Sequence, residues 1–511
     1  MKTNGFVKGA IILVIFNLIA KVIGALYRIP LANMLGPVGI GKYQLVFPLY
    51  SLLLSISVSG IPVAISKIVA EYNSKKQYGD IKKLLKLAKL YLVVISVVVV
   101  SVIVIAARFI AKIQGNPEIY LCYYAIAPAV LFVGLLSVYR GYFQGNLNML
   151  PTALSNIVEQ IAKILFSLTL AKIFVQKGIV WGVFGALVGI SISELIALIF
   201  LTIYYFFAKN RSQENRSILA AKTISKQLVF TALPITLGGI ASPLTAIIDS
   251  LLVVNLLMFT GYTSNNATAL LGLQSGIVDP IINIPIVLAV SISASLLPNL
   301  SKVYVEKNQL EVKSLIEKSL QLTLSVSLVC AICFVIFGKQ ILQFLYGYSL
   351  SSEQLILSTK LLFLGGINLI FLSLLQVSSG ILQGMGRQVF TMKSIIVGSV
   401  IKIVLTCVLV AFPQINILGA MISGGLSYFV VFMINYYQIR KITTARISKV
   451  VYDVIIQECL VCLFAFFSNW LFSMVFGGGV ALFAGGFVAI IIFMITYYTF
   501  FLLDKQQIVS S

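Results

Sequence analysis

Lys21 and Arg28 stand seven residues apart in an otherwise apolar run. In a helix that spacing is about two turns, so the ammonium and the guanidinium share one face. Nothing else in the run neutralises them. Two such cations at membrane depth suit an anionic head group, above all a phosphate, which an arginine can grip with two parallel hydrogen bonds. The competing reading is that they pair with acids elsewhere in the chain. An ionisable side chain at the bilayer centre costs about 2.5–3.5 kcal/mol on insertion scales, so the others of this kind also need accounting. Glu159 and Lys163 are four residues apart and can pair along one helix, which reads as a structural pair. Glu194 and Lys402 join them as secondary charges. Asp249 suits an ion-coupling carboxylate for Na⁺ or H⁺, or a gate. Asp279 precedes Pro280, with Asn283 and Pro285 close behind. That is the composition of a broken helix lining a cavity, and it makes Asp279 a second coupling candidate. Lys360 and Glu458 lie near the ends of their runs and can reach the interface along their own stems.

Other chemistry is absent from the sequence. There is no histidine, hence neither the usual metal ligand nor the usual proton shuttle. Cys330–Cys333 and Cys459–Cys462 are CxxC pairs, but both sit in apolar runs and read as small packing residues one turn apart. No phosphate-cradling Gly-rich loop with Lys-Ser/Thr occurs, and no nucleophile–base pair does. These absences point away from an enzyme and from any resident metal or cofactor. They leave an ion gradient, the membrane potential or the substrate gradient as the source of energy.

The elements that must position these residues follow from composition. Of 511 residues, 59% are hydrophobic and 10% charged, against about 25% charged in an ordinary soluble domain. Mean hydropathy is +1.04. Runs of about 20 apolar residues repeat along the chain with no strand-like alternation, which predicts an all-α integral membrane protein of about fourteen transmembrane helices. Span 1 is expected at 9–32, span 7 at 227–255, span 8 at 268–297, and spans 13 and 14 at 451–475 and 479–503. The 37 Lys and Arg against 15 Asp and Glu give a net charge of +22. With both termini inside, 26 of the basic residues, Arg140 among them, fall on the cytoplasmic side and six outside. This is the positive-inside bias of a multi-pass protein of the cytoplasmic membrane, N-in and C-in, and not a nucleic-acid-binding surface.

The chain also repeats itself. Gly141, Gln144, Gly145 and Lys163 recur as Gly380, Gln383, Gly384 and Lys402, each 239 residues on. Ser66-Lys67 with Glu71 recurs as Ser301-Lys302 with Glu306, 235 on. The copies are six spans apart. Six is even, so the repeat is parallel, with its axis along the membrane normal. Residues 1–210 form one six-helix lobe, 211–440 a second around a central cavity, and 441–511 two appended helices. The Gly-x-x-x-Gly spacings at 141/145, 185/189 and 380/384 let helices approach closely. Gln144 and Gln383 are expected to cap or pin the short cytoplasmic turns.

This 6 + 6 + 2 arrangement resembles the multidrug/oligosaccharidyl-lipid/polysaccharide exporter superfamily. The runs Lys21-Val-Ile-Gly-Ala-Leu-Tyr-Arg28-Ile-Pro30, Gly39-Ile-Gly-Lys-Tyr-Gln44, Gly60-Ile-Pro-Val-Ala-Ile-Ser-Lys67 and Arg140-Gly-Tyr-Phe-Gln-Gly145 are similar to its stage V sporulation protein B branch, which is related to the lipid II flippases. The resemblance implies a monomeric transporter, among membrane lipids, that turns an undecaprenyl-diphosphate-linked sugar between leaflets by alternating access. It also implies basic cavity residues on span 1. Lys21 corresponds to one of them, and Arg28 falls one residue from a second. On span 8 those flippases carry a further basic residue where this chain has Asp279. The appended helices would hold the lipid tail. A multidrug or cation antiporter on the same fold, and a non-transporting scaffold of envelope assembly, are the alternatives.

Overall fold

Gly36 makes the first sharp turn. Its φ of 63° lies in the left-handed region that glycine enters without a Cβ clash, and Pro37, which has no N–H to satisfy, begins the helix that follows. In the computed structural model the described residues are 16–443 without 59, 209–216 and 240, together with 454 and 467. Helix α1 covers 16–26, α2 Arg28–Val58 with the Gly36 break inside it, α3 Ile61–Ser74, α4 Tyr78–Ile113, α5 Tyr120–Gly145, α6 Leu150–Phe174 and α7 Ile179–Ala208. Then come α8 Ala221–Gly239, α9 Ala241–Phe259, α10 Ser264–Leu271, a π-helix Gly272–Val278, α11 Asp279–Val305, α12 Gln309–Tyr346, α13 Ser352–Gly384, α14 Gln388–Val410 and α15 Ile417–Ile442. No strand occurs among the described residues. Nine helical stretches there are long and apolar enough to cross a membrane. Apart from Val454 and Phe467, the two appended spans lie outside the described residues, as do Glu458, Cys459 and Cys462.

The helices begin where their sequences satisfy free backbone N–H groups. Asn308 accepts from the Glu311 N–H to start α12, and Ser351 with Gln354 closes a reciprocal cap on α13. Their flanks are apolar where they meet lipid. Val397, Val400, Val404 and Val408 form an exposed stripe at helical spacing on α14, and α4 exposes Val94, Val97, Val98, Ile105 and Phe109. Such stripes would be costly in water and are at rest in hydrocarbon. The chain is therefore a multi-pass protein of the cell membrane.

Close packing divides the described chain after Gly272 into two units. The boundary expected at 210/211 and this packing boundary differ because α8–α10 pack against helices that precede them in the first unit. Ile224, Leu228 and Ala232 of α8 share a core with Ile65 of α3 and Leu84 of α4. The Tyr72 hydroxyl donates to Gln227 at 2.8 Å. Asp80 Oδ1 accepts from the Ser217 hydroxyl at 2.6 Å and from the N–H groups of Ile218 and Leu219 at 3.0 Å each. Asn116 donates to Thr268 at 3.1 Å, and Ser264 to the Gly115 carbonyl at 2.6 Å. In the second unit, α11, α12, α13 and α15 pack around Leu300, Ile316, Leu320, Val377, Ile381 and Ile439.

Inside each unit the recurring residues of the sequence occupy comparable places. Gly145 of α5 faces the Ser66 carbonyl of α3, where an added Cβ would stand 2.7 Å away; in the second copy Ser301 of α11 donates to the Gly384 carbonyl of α13 at 2.7 Å. Leu147 and Gly386, 239 apart, both adopt positive φ, and the carbonyls of Gln144 and Gln383 accept from their N–H groups at 3.0 Å. The glutamines thus close the two turns through the backbone. Lys76 (φ 57°) and Lys307 (φ 59°) mark matching corners before α4 and α12.

Candidate functional site

Charged side chains from α2, α5, α6 and α7 gather in the first unit. The backbone bonds from Tyr27 N–H to the Ile23 carbonyl (3.0 Å) and from Leu31 N–H to the Tyr27 carbonyl (3.4 Å) carry the helix through Tyr27, so Lys21 and Arg28 do share a face. Lys21 is exposed and Arg28 half-buried. The Arg28 guanidinium stands 5.8 Å from the centroid of the Phe47 ring. Lys163 of α6 reaches the same ring, 5.8 Å from its centroid and 5.3 Å from that of Tyr27. Phe47 stacks on Tyr43 at 5.5 Å and meets Tyr50 at 5.9 Å. Each cation–ring contact is worth about 0.5–1 kcal/mol when exposed and about 2 or more when desolvated. That holds the two cations without neutralising them.

Glu159 does not pair with Lys163. Its Oε2 lies 2.8 Å from Arg140 Nη2 and its Oε1 accepts from Gln160 at 3.0 Å; Arg140 Nε also donates to Ser155 Oγ at 3.2 Å. The guanidinium reaches across from α5 as a rigid fork, and it uses up the carboxylate that the i, i+4 spacing offered to Lys163. Among the described residues neither Arg28 nor Lys163 makes an ion pair.

Glu194 of α7 completes the group. It is 8% exposed and its Oε2 has no hydrogen-bond partner. The charges acting on it are Glu159, Arg140 and Lys163. It arrives there because α7 lies unusually close to α6: Gly185 faces the Leu170 carbonyl, where a Cβ would be 2.6 Å away, and Gly189 faces the Ser167 backbone. Helix α1 sits on α6 through Asn17–Asn156 (2.6 Å) and through Gly24, which faces the Gln160 amide.

The other expected residues fall elsewhere. Asp249 on α9 and Asp279 at the head of α11 are half-buried, and each is engaged by a neighbouring group. The π-helix Gly272–Val278 ends immediately before Asp279, the first residue of α11, which has Pro280 in its first turn. The widened stretch precedes Pro280, and α11 itself runs as one helix through Asn283 and Pro285, so the break expected there is not where the prolines stand. Lys402 on α14 is half-buried and engaged, lying near Gly424 of α15. Lys360 is exposed. Cys330 and Cys333 are free thiols, and no metal-ligand cluster occurs among the described residues. Arg140 joins the site although its sequence position, at the cytoplasmic end of its span, counts it among the loop charges. The available signal was the repeat, in which its counterpart is the uncharged Ser379.

A scan for related families matches residues 6–304 to the polysaccharide biosynthesis protein family and residues 234–408 to the MatE family. The chain is 25% identical to stage V sporulation protein B of Bacillus subtilis (strain 168) over 515 residues, 99% of this chain and 98% of that protein. It is 28% identical to the lipid II flippase MurJ of the same organism over 460 residues, 86% and 83% of the two chains. Among solved structures, lipid II flippase MurJ in an inward closed conformation superposes with a TM-score of 0.73 at 13% identity, covering 96% of this chain and 99% of that one.

Proposed function

The chain belongs to the polysaccharide biosynthesis protein family, within the multidrug/oligosaccharidyl-lipid/polysaccharide exporter superfamily, and from that membership we propose a flippase for an isoprenyl-diphosphate-linked sugar. It is a membrane transporter and not an enzyme. The lipid-linked substrate is our reading. One observation carries it: Arg28 and Lys163, from different helices, converge on Phe47 without an ion pair. The acid nearest in sequence is already held by Arg140. A diphosphate needs two such donors, and one of them is an arginine suited to bidentate bonding. Lys21, two turns along the same face and exposed, fits an entry contact.

On this reading the chain crosses the membrane fourteen times with both termini in the cytoplasm. The two six-helix repeats alternate access, and residues 441–511 accommodate the isoprenyl tail. Asp249 and Asp279 are the candidates for Na⁺ or H⁺ coupling. The test is transport of lipid II, and of other undecaprenyl-diphosphate sugars, in proteoliposomes of the full chain. Transport that falls at least tenfold in Arg28→Ala and Lys163→Ala supports the reading. Normal transport by both variants, or drug efflux with no lipid-linked sugar moved, overturns it.

A further inference from the structure

Glu194 is a buried carboxylate of α7 that the phosphate site does not use. It is more than nine-tenths buried, and Oε2 is without a hydrogen-bond partner. A buried acceptor left without a partner is costly, and more so when charged, so its retention among charged side chains needs a reason. The titratable groups that act on it electrostatically come from α2, α5 and α6, all of which pack against α7. They are Glu159 and Lys163 of α6, Arg140 of α5 and Tyr50 of α2, with Arg28 of α2 acting in turn on Lys163. Arg140 and Glu159 satisfy each other at 2.8 Å. The remaining balance is Arg28 and Lys163 against Glu194 alone.

We propose that Glu194 is a proton-binding site whose occupancy sets the affinity of the Arg28–Lys163 pair for a diphosphate head group. With Glu194 ionised, the five groups sum to one positive charge, and Lys163 is partly answered by a carboxylate. When Glu194 takes one proton from water, the sum becomes two positive charges and the anion gains an unopposed lysine. Linkage makes this reciprocal: a bound diphosphate favours the protonated acid, so binding takes up a proton, and affinity falls as pH rises through the ionisation of Glu194. Proton entry and substrate entry are thereby coupled at one site in the first unit, separate from Asp249 and Asp279. The proposal rests on the flippase reading above.

The test measures binding of undecaprenyl diphosphate to the full chain in lipid nanodiscs between pH 5.5 and 8.5, in wild type and Glu194→Gln. The ratio of the two affinities removes the probe's own ionisation. The wild type should match the variant at low pH and bind about tenfold more weakly at high pH, within the 5–150-fold span of ordinary site couplings. A ratio that stays constant with pH overturns the proposal and leaves the flippase reading intact, provided Lys163→Ala has lost binding. Absence of binding by every form, wild type included, overturns the flippase reading and this proposal with it. A second measurement, which does not depend on the variant folding, is proton uptake by the wild type on binding, in weak buffer with an indicator dye. Up to one proton per ligand beyond the probe's own exchange is expected near the midpoint, and none overturns the proposal.

Discussion

Helices α5–α7 and α13–α15 are the same construction with different contents. Gly185 and Gly189 of α7 meet Leu170 and Ser167 of α6; 234 residues on, Gly419 and Ser423 of α15 meet Leu409 and Thr406 of α14. The glycine against a leucine backbone is kept in both copies, whereas the close approach of Gly189 to Ser167 becomes a 2.7 Å hydroxyl pair at Thr406–Ser423. At the matching positions for chemistry, Arg140, Glu159 and Glu194 are answered by Ser379, Gly398 and Tyr428, and only Lys163 keeps its type, as Lys402. The second copy is satisfied by neutral groups. Asn435 joins Ser378, Ser379 and Ser394 at 2.7–3.3 Å, and Asn368 donates to the Met421 carbonyl at 2.8 Å. Small residues at helix crossings set the scaffold, and they are indifferent to charge. The charges can therefore be loaded into one repeat alone.

That asymmetry can be broken. The largest effect is expected from Arg28→Ala combined with Lys163→Ala, which should lower transport of the lipid-linked sugar about 100-fold, since each lost hydrogen bond to a charged group is worth about 1.5–3 kcal/mol. Lys402→Ala should lower it less than threefold, and equal losses in the same proteoliposome assay would mean that both repeats bind substrate. Next comes Glu159→Ala, which strands Arg140. Breaking a buried pair costs about 3–5 kcal/mol, and the partial exposure of this one, 20% and 17% for its two side chains, should bring the cost to about 2 kcal/mol. Arg140→Ser with Glu159→Ala removes both charges, as in the second copy, and should recover at least half of the loss in melting temperature. No recovery would show that the pair is not the unit.

The smallest effect compares the two scaffolds. A Cβ on Gly145 would stand 2.7 Å from the Ser66 carbonyl oxygen and 2.7 Å from the Val69 Cβ, whereas at Gly384 the nearest atom, the Leu297 carbonyl oxygen, is 3.3 Å away. Gly145→Ala should therefore cost about 1–2 kcal/mol by overpacking and Gly384→Ala less than about 1. Thermal unfolding in detergent would decide, and a larger loss for Gly384→Ala would reverse the order.

Much of the scaffold was readable because its signals are local. Apolar length gives helices, and the Gly-x-x-x-Gly spacings at 141/145 and 380/384 identified the crossings that the structure shows. The site was readable only in part. Arg28 stood out because no acid lies near it in sequence. Glu159 and Lys163 were matched with each other because i, i+4 spacing is the one pairing a sequence displays, while Arg140, nineteen residues earlier, was the partner. Glu194 looked like one more secondary charge because burial and the loss of a hydrogen-bond partner belong to the packing around a residue.

The sequence by itself determined that this chain is helical, lives in a membrane, is built twice over and carries more cations than its spans need. Those follow from hydropathy, the positive-inside bias and exact recurrence, all of which are properties of order along the chain. Tertiary structure decided which charges cancel and which stay available. A guanidinium on α5 reached Glu159 first, a single aromatic ring gathered Arg28 and Lys163, and close approach of α7 to α6 brought Glu194 in among them. Electrostatic energy depends on separation in space and on the exclusion of water, and neither is written in residue spacing.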